Sequence, residues 1–359
     1  MRKQDKYILT SFAVTAGIVV ILDYLQQKER LKKNGQRMTW DNFNGFQTVK
    51  KATAFGIAGG FIGNEIYKIN FIEDAKKPFS SDAFLKNVLI MENVNSNPKK
   101  LQELKAITEE VKATLYDEFA NQLVNYPESV GSLPKKIAIA GTFDSDIVLP
   151  IKKENHFGNM PNLSSQVHSK IEDLFGEKAT VKKRTRATSL TFQGSESTHK
   201  VDIVYGKEIG NYQKDQNLNL YVRPSFFWQK GRTFNTNIDI QKNLLINKPK
   251  VREVIKTLKA YRDRNNLALN NILIEQLSLE ALSVNNFGTE FSISENLKKC
   301  MEHIAYKLQN NKILDYANSN HNLLSNIDYT DKQIVLNLIS NDLSKIKSNP
   351  HYIKEIFHQ

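Results

Sequence analysis

The chain has 359 residues, 40% hydrophobic and 25% charged, and its 50 Lys and Arg against 38 Asp and Glu give a formal net charge of +12. That length supports more than one hydrophobic core, and the charge favours anionic partners such as phosphates, nucleic acids or lipid head groups. A single cysteine, Cys300, excludes an internal disulfide framework and a cysteine-rich zinc site, and favours a reducing compartment.

The first element is an apolar run, Ile8 to Leu25, broken only by Asp23. A bilayer core needs roughly 20 such residues, so the run lies at the lower edge of a membrane span. A second run, Ala52 to Ile62, carries the spacings Gly56-x-x-x-Gly60 and Gly59-x-x-x-Gly63, which let two helices approach closely. Between them lies the basic connector QQKERLKKNGQRM, suited to the cytoplasmic side of a membrane hairpin. The expectation is a membrane-anchoring helical hairpin over 1–70, with residues 8–67 holding a cytoplasmic catalytic domain at the inner membrane beside a membrane effector protein. A helical extension, a helix lying on the membrane surface and a signal peptide are the alternatives.

From Asn97 to Leu123 apolar residues recur at spacings of three and four (Leu101, Leu104, Ile107, Val111, Leu115, Phe119), predicting an amphipathic helix capped by Asn97. A helix follows near Ser164 to Phe175, then strands over Thr180 to Gln193 and Lys200 to Tyr205. After Pro249 the pattern is helical to the end. The fold class is therefore an α/β (α+β) core with a mixed sheet, followed by a C-terminal all-α domain, with boundaries at 71–240 and 241–359.

The chemistry concentrates in GSLPKKIAIAGTFDSDIVL, Gly131 to Leu149. On a strand, residues two apart share a face, so Asp144 and Asp146 project together while Ile147, Val148 and Leu149 anchor them. Two close carboxylates repel unless a cation joins them, and Mg2+ (or Mn2+) suits carboxylate and phosphate oxygens. Asp202 in HKVDIVYG would complete a site for two ions, capable of in-line phosphoryl or nucleotidyl transfer. Gly131 lets backbone approach a phosphate, Ser132 offers a hydroxyl, and Lys135 and Lys136 add charge.

Val130-Gly131-Ser132, an eleven-residue gap, Asp144-Ser145-Asp146 and the later Val201-Asp202-Ile203 resemble the DNA polymerase β-like nucleotidyltransferases. The resemblance is closer to the oligoadenylate-synthetase and cGAS-like branch, which includes the bacterial CD-NTases of antiphage defence. Those enzymes usually read Gly-Ser-x-x-Lys-Gly-Thr; here Gly131 to Lys135 match, and Lys136-Ile137 stands where Gly-Thr is expected. The helix from Asn97 looks like the branch's spine helix. VREVIKTLKAYRDRN looks like its Leu-Lys-x-Trp helix with Tyr261 for Trp, followed by a match to NNILIEQLSLEAL. The likeness covers roughly 95–285.

The resemblance implies that Lys259 reaches the triphosphate, with Lys256 one turn earlier able to share the task. It implies a metal-dependent, template-independent enzyme that joins nucleoside triphosphates into a cyclic or linear oligonucleotide, in which Asp202 orients or deprotonates the attacking hydroxyl. Transfer of a nucleotide to a protein or tRNA, and a catalytically silent, membrane-anchored nucleotide sensor, are the competing readings. Three lesser features remain. Lys182, Lys183, Arg184 and Arg186 could hold product phosphates or form a solvated strand edge. YVRPSFFW, from Tyr221, could stack a base or pack in a core. Tyr352 offers a hydroxyl that could prime a chain.

Overall fold

A computed structural model describes residues 3–33, 52–53, 56–61, 79–141, 143–195, 197–224, 230–283, 292–325 and 327–357. They form two compact units. One draws on Met1–Ser81, Arg264–Asn266 and Asn341–Gln359, the other on Asp82–Asp263 and Leu267–Ser340.

In the first unit, helix α1 (Lys3–Lys33) meets a short helical stretch, 56–61, through glycine. A Cβ on Gly59 would lie 2.3 Å from Thr15 Oγ1, and one on Gly56 2.8 Å from the Phe12 ring, so only glycine permits this approach. The expectation of a membrane-spanning hairpin is corrected here: among the described residues no helix is long and apolar enough to cross a membrane. The sixteen residues between Lys6 and Asp23 rise only about 24 Å as a helix, against a hydrocarbon core of roughly 30 Å. Asp23 is buried and accepts a 2.7 Å hydrogen bond from Gln27. Residues 26–33 of the basic connector continue α1, while 34–38 and Gly63 lie outside the described residues. Elsewhere in this unit Arg264 and Asn265 donate to the Phe357 and Ile356 carbonyls at 2.5 and 2.8 Å. Tyr352 is buried, its hydroxyl taking a hydrogen bond from Lys345 at 3.2 Å, and is withdrawn from any priming role.

The second unit is built on a seven-stranded sheet. Its strands are β1 (Glu128–Val130), β2 (Ser145–Ile151), β3 (Ala179–Lys183), β4 (Thr188–Gln193), β5 (Thr198–Glu208), β6 (Asn217–Val222) and β7 (Arg232–Asn237). The order is β1-β2-β5-β4-β3, with β6 also on β5 and β7 on β6; β2 and β5 run parallel and the other pairs antiparallel. The single strand expected over Thr180 to Gln193 is a hairpin instead. Its basic centre forms the turn, closed by Arg184 N–H donating to Ala187 O at 2.8 Å.

Helices α2 (Pro98–Phe119) and α3 (Met160–Phe175) cover one face. Asn97 caps α2 as expected, its side chain accepting from Lys100 N–H at 3.0 Å, and Asn159 caps α3. Leu104, Val111 and Leu115 of α2 and Leu163, Val167 and Ile171 of α3 pack on Ile147, Leu149, Val201 and Ile203. Alternation along β2 and β5 therefore turns Asp146 and Asp202 to the opposite face, beside Val148. Glu103 ties α2 to the base of β5 through buried His199 at 2.7 Å.

Helices α4 (Pro249–Arg264), α5 (Asn271–Ser283) and α6 (Ile293–Leu308) follow. The C-terminal part is not wholly helical: β8 (Leu314–Asp315) and β9 (Asn318–Asn322) pair antiparallel. Asn and polar residues in that stretch favour a tight turn over helix continuation, and Asp315 takes the Ala317 N–H at 2.9 Å.

Candidate functional site

The parallel register of β2 and β5 sets Asp146 directly opposite Asp202, and Asp144 lies just before β2 on the same face. Lys200, two residues before Asp202, shares that face too. Its ammonium bridges Asp144 at 3.2 Å and Asp202 at 2.5 Å. Burial lowers the Lys200 pKa, but its hydrogen bonds and charge pairing with Asp202 and Asp144 outweigh that and raise it. Ser189, opposite Asp202 on β4, donates its hydroxyl to Asp202 Oδ1 at 2.5 Å. Burial, reinforced by the charges of Asp144 and Asp202, pushes the Asp146 carboxyl up to about 7, with Lys200 and Lys135 opposing. One ammonium thus contacts two of three clustered carboxylates directly. As they stand, no three His, Cys, Asp or Glu side chains among the described residues could hold a metal ion. Lys200 stands between two of the three carboxylates, Asp144 and Asp202. In charge and donor type the cluster fits a hard divalent cation: it is oxygen-only and short of positive charge.

The turn after β1 presses on this cluster. Gly131 has φ +79°, and a Cβ there would fall 1.9 Å from Asp146 Oδ2. Glycine is required twice over, by the left-handed backbone and by the carboxylate. Ser132 follows, its carbonyl accepting from Ile137 N–H at 3.0 Å, while Lys136 N–H donates to Leu133 O at 3.0 Å. Lys136 has φ 59°. The lysine that stands at the glycine of the resembled pattern thus holds a left-handed backbone, which glycine adopts most easily.

Lys135 and Lys259 come together although 124 positions apart. Both pair with Glu275 of α5: Oε2 meets Lys135, and Oε1 lies 3.6 Å from Lys259. Lys259 also donates to the Ile137 carbonyl at 3.2 Å. Burial pushes the Lys259 ammonium down to about 8, with Lys135 and Arg262 reinforcing the shift and Glu275 opposing it. Lys135 also bears on Asp146, so the lysine pair adjoins the carboxylates. Lys256 is half-buried one turn back on α4, where its charged neighbours are Glu253 and Arg252 of the same helix.

No family model matches the chain, and no curated protein does. Solved structures do match. CdnC of E. coli MS115-1, solved with ATP, superposes with a TM-score of 0.61 over 77% of this chain and 98% of that one, at 14% identity. The Bradyrhizobium diazoefficiens CD-NTase CdnG in complex with GTP gives 0.57 over 77% and 96%, at 11% identity. The fold is that of the CD-NTases. A CdnC:HORMA-deltaN complex from E. coli MS115-1 gives 0.55 over 72% and 91%, at 15% identity. At these identities the likeness is one of fold.

On this CD-NTase fold the structure gathers Asp144, Asp146 and Asp202 in one cluster, with Gly131 against it and Lys135 and Lys259 alongside. It also supplies residues that the sequence reading missed. Lys200 was legible, since period two puts it on the face of Asp202. Ser189 needed the β4–β5 register. Glu275 left a fainter sign, a carboxylate amid the apolar positions Ile274 and Leu277. The basic run lies near other cations, and the Arg223 backbone N–H donates to Thr185 O at 2.8 Å. Burial and then Arg223 lower the Lys183 pKa; burial and then Arg232 lower that of Arg186. Of the aromatic stretch, residues 225–229 lie outside the described residues.

Proposed function

We propose that this chain is a metal-dependent, template-independent nucleotidyltransferase that joins nucleoside triphosphates into a cyclic or linear oligonucleotide signal in antiphage defence. The observation that supports it most is the pairing of Asp146 with Asp202 across parallel strands, with the Gly131 turn pressed against Asp146. The CD-NTase fold adds support by analogy. In this reading residues 71–240 carry the carboxylates and the Gly131-Ser132 turn, and 241–359 form a mainly helical part that adds Lys259.

Asp144, Asp146 and Asp202 would hold Mg2+ or Mn2+, two ions, after Lys200 withdraws from between the carboxylates. When bound, the ions activate the attacking hydroxyl and stabilise the departing pyrophosphate. The chain supplies the rest. Backbone groups of the Gly131-Ser132 turn and the Ser132 hydroxyl receive the triphosphate, and Lys135 and Lys259 offset its charge. Asp202, with Oδ1 fixed by Ser189, orients the attacking hydroxyl or takes its proton. The hydroxyl oxygen bonds to the α-phosphorus as the bond to the bridging oxygen breaks.

The test is incubation with labelled ribo- and deoxyribonucleoside triphosphates and Mg2+ or Mn2+, with products separated by mass. A soluble oligonucleotide, lost in Asp144→Ala, is the expected result. Label on a protein or tRNA instead would favour the toxin-type transfer, and binding without turnover would leave a silent sensor. Activity unchanged in Asp144→Ala would overturn the metal mechanism.

A further inference from the structure

Glu275 lies in NNILIEQLSLEAL, apart from the Gly-Ser and aspartate elements of the nucleotidyltransferase motif. Its helix, α5, buries Leu273, Ile274, Leu277 and Leu279, and Glu275 is as enclosed as they are, at 4% exposure. A carboxylate in such a place must be compensated. The compensation comes from two residues far apart in the chain, one oxygen to each: Lys135 from the phosphate turn and Lys259 from α4. Two ammoniums on one carboxylate leave a net positive charge, so the trio still attracts a polyanion. The Ile137 carbonyl fixes the Lys259 ammonium from another side at 3.2 Å.

We infer that Glu275 is a positioning residue for the triphosphate: it holds Lys135 and Lys259 side by side, so that an incoming polyphosphate meets a ready-made pair of ammoniums. This rests on the proposed function and extends it to a residue outside the motif. The alternative for the two lysines is costly. Long lysine side chains carry rotamer entropy that is lost on binding unless they are held beforehand. A neutral residue at 275 would release Lys135 and would also change the protonation of Lys259. The charged groups facing Lys259 are Glu275 from α5, Lys135 from the turn and Arg262 from its own helix. Glu275 alone among them favours the ammonium.

The experiment is equilibrium binding of each ribonucleoside triphosphate with Mg2+ between pH 6.5 and 9, by calorimetry, on the full chain. In the wild type, affinity should fall as pH rises through about 8, where Lys259 loses its proton. Glu275→Gln, nearly equal in volume, should weaken binding about tenfold at neutral pH and move the fall to lower pH. Adding Lys259→Arg to Glu275→Gln should flatten the profile, because guanidinium does not titrate in this range. Glu275→Asp keeps the charge and should weaken affinity while leaving the pH of the fall closer to that of the wild type; it also serves if Glu275→Gln melts early. A Glu275→Gln profile that overlays the wild type would overturn the inference while leaving the proposed function intact. So would a Glu275→Asp profile displaced as far as that of Glu275→Gln. A wild type that binds none of the triphosphates would bring down both.

Discussion

Lys136→Gly should make the protein more stable. Lys136 holds φ 59°, in the left-handed region where a side chain's Cβ crowds the following carbonyl, at a cost of about 1–2 kcal/mol. Glycine removes that cost but adds about 0.5–1 kcal/mol of unfolded-chain entropy, leaving a net gain on the order of 1 kcal/mol. For a domain of this size that is a rise in Tm of about 2–4 °C. Lys136 is exposed, so the change opens no cavity, and the two hydrogen bonds of the turn are backbone bonds that survive it. Differential scanning calorimetry of three proteins is the assay: wild type, Lys136→Gly and Lys136→Ala. Alanine removes the same charge but keeps the strained φ, so it should give no gain. Equal gains in both variants would show that charge relief in the basic turn is responsible, and would refute the backbone reasoning.

Gly131→Ala should act in the opposite sense. Its Cβ would fall 1.9 Å from Asp146 Oδ2, and the displaced carboxylate should cut transfer activity by about a hundredfold or more as well as lower Tm; wild-type activity in Gly131→Ala would show that Asp146 can move freely. The raised Asp146 pKa has a pH consequence. The folded metal-free state holds this proton up to about pH 7 whereas the unfolded chain releases it near 3.8, so metal-free stability should fall as pH rises between those values. A metal must displace that proton, so Mn2+ affinity, read by calorimetry, should weaken towards tenfold per pH unit below 7; a flat affinity from pH 5.5 to 8 would contradict the assignment of Asp146 as a ligand. Lys200→Met removes the resident ammonium. Mn2+ should then bind more tightly while the metal-free protein melts earlier, and weaker Mn2+ binding would mean that Lys200 supports the metal rather than standing in its place.

What could be read from the sequence follows from how far each signal reaches along the chain. The α2 stripe and its Asn97 cap are local, and both appear as read. Asp144 with Asp146 is also local, because period two fixes the face once a strand is granted. Asp202 joins them only through a parallel pairing across more than fifty residues, which the family pattern could suggest and hydrophobic periodicity could not. Local and wider signals conflict in two segments. Thr180 to Gln193 is β-prone at both ends, but the basic centre bends it into a hairpin and carries Arg186 towards Arg232. Ile8 to Leu25 is apolar enough to suggest lipid, yet its charge-free length falls short of a bilayer. Its glycine partners pack on Phe12 and Thr15, in the manner of helices that bury against each other.

Lys136 brings the two kinds of signal together. At the level of sequence it is a mismatch to a glycine, which casts doubt on the turn. At the level of backbone the left-handed angle remains, and the chain bears its cost with a lysine. A costly conformation kept without the residue that makes it easy is one that the surrounding structure determines: Ile137 buried behind it, Ser132 and Leu133 bonded across it, and Lys259 closing on the Ile137 carbonyl. The same carbonyl that fixes Lys259 is therefore held by the turn that carries Ser132 and Lys135. A change in the turn's shape should thus be felt at both triphosphate lysines, which is why Lys136→Gly, by keeping that shape, should leave triphosphate affinity close to that of the wild type while Tm rises.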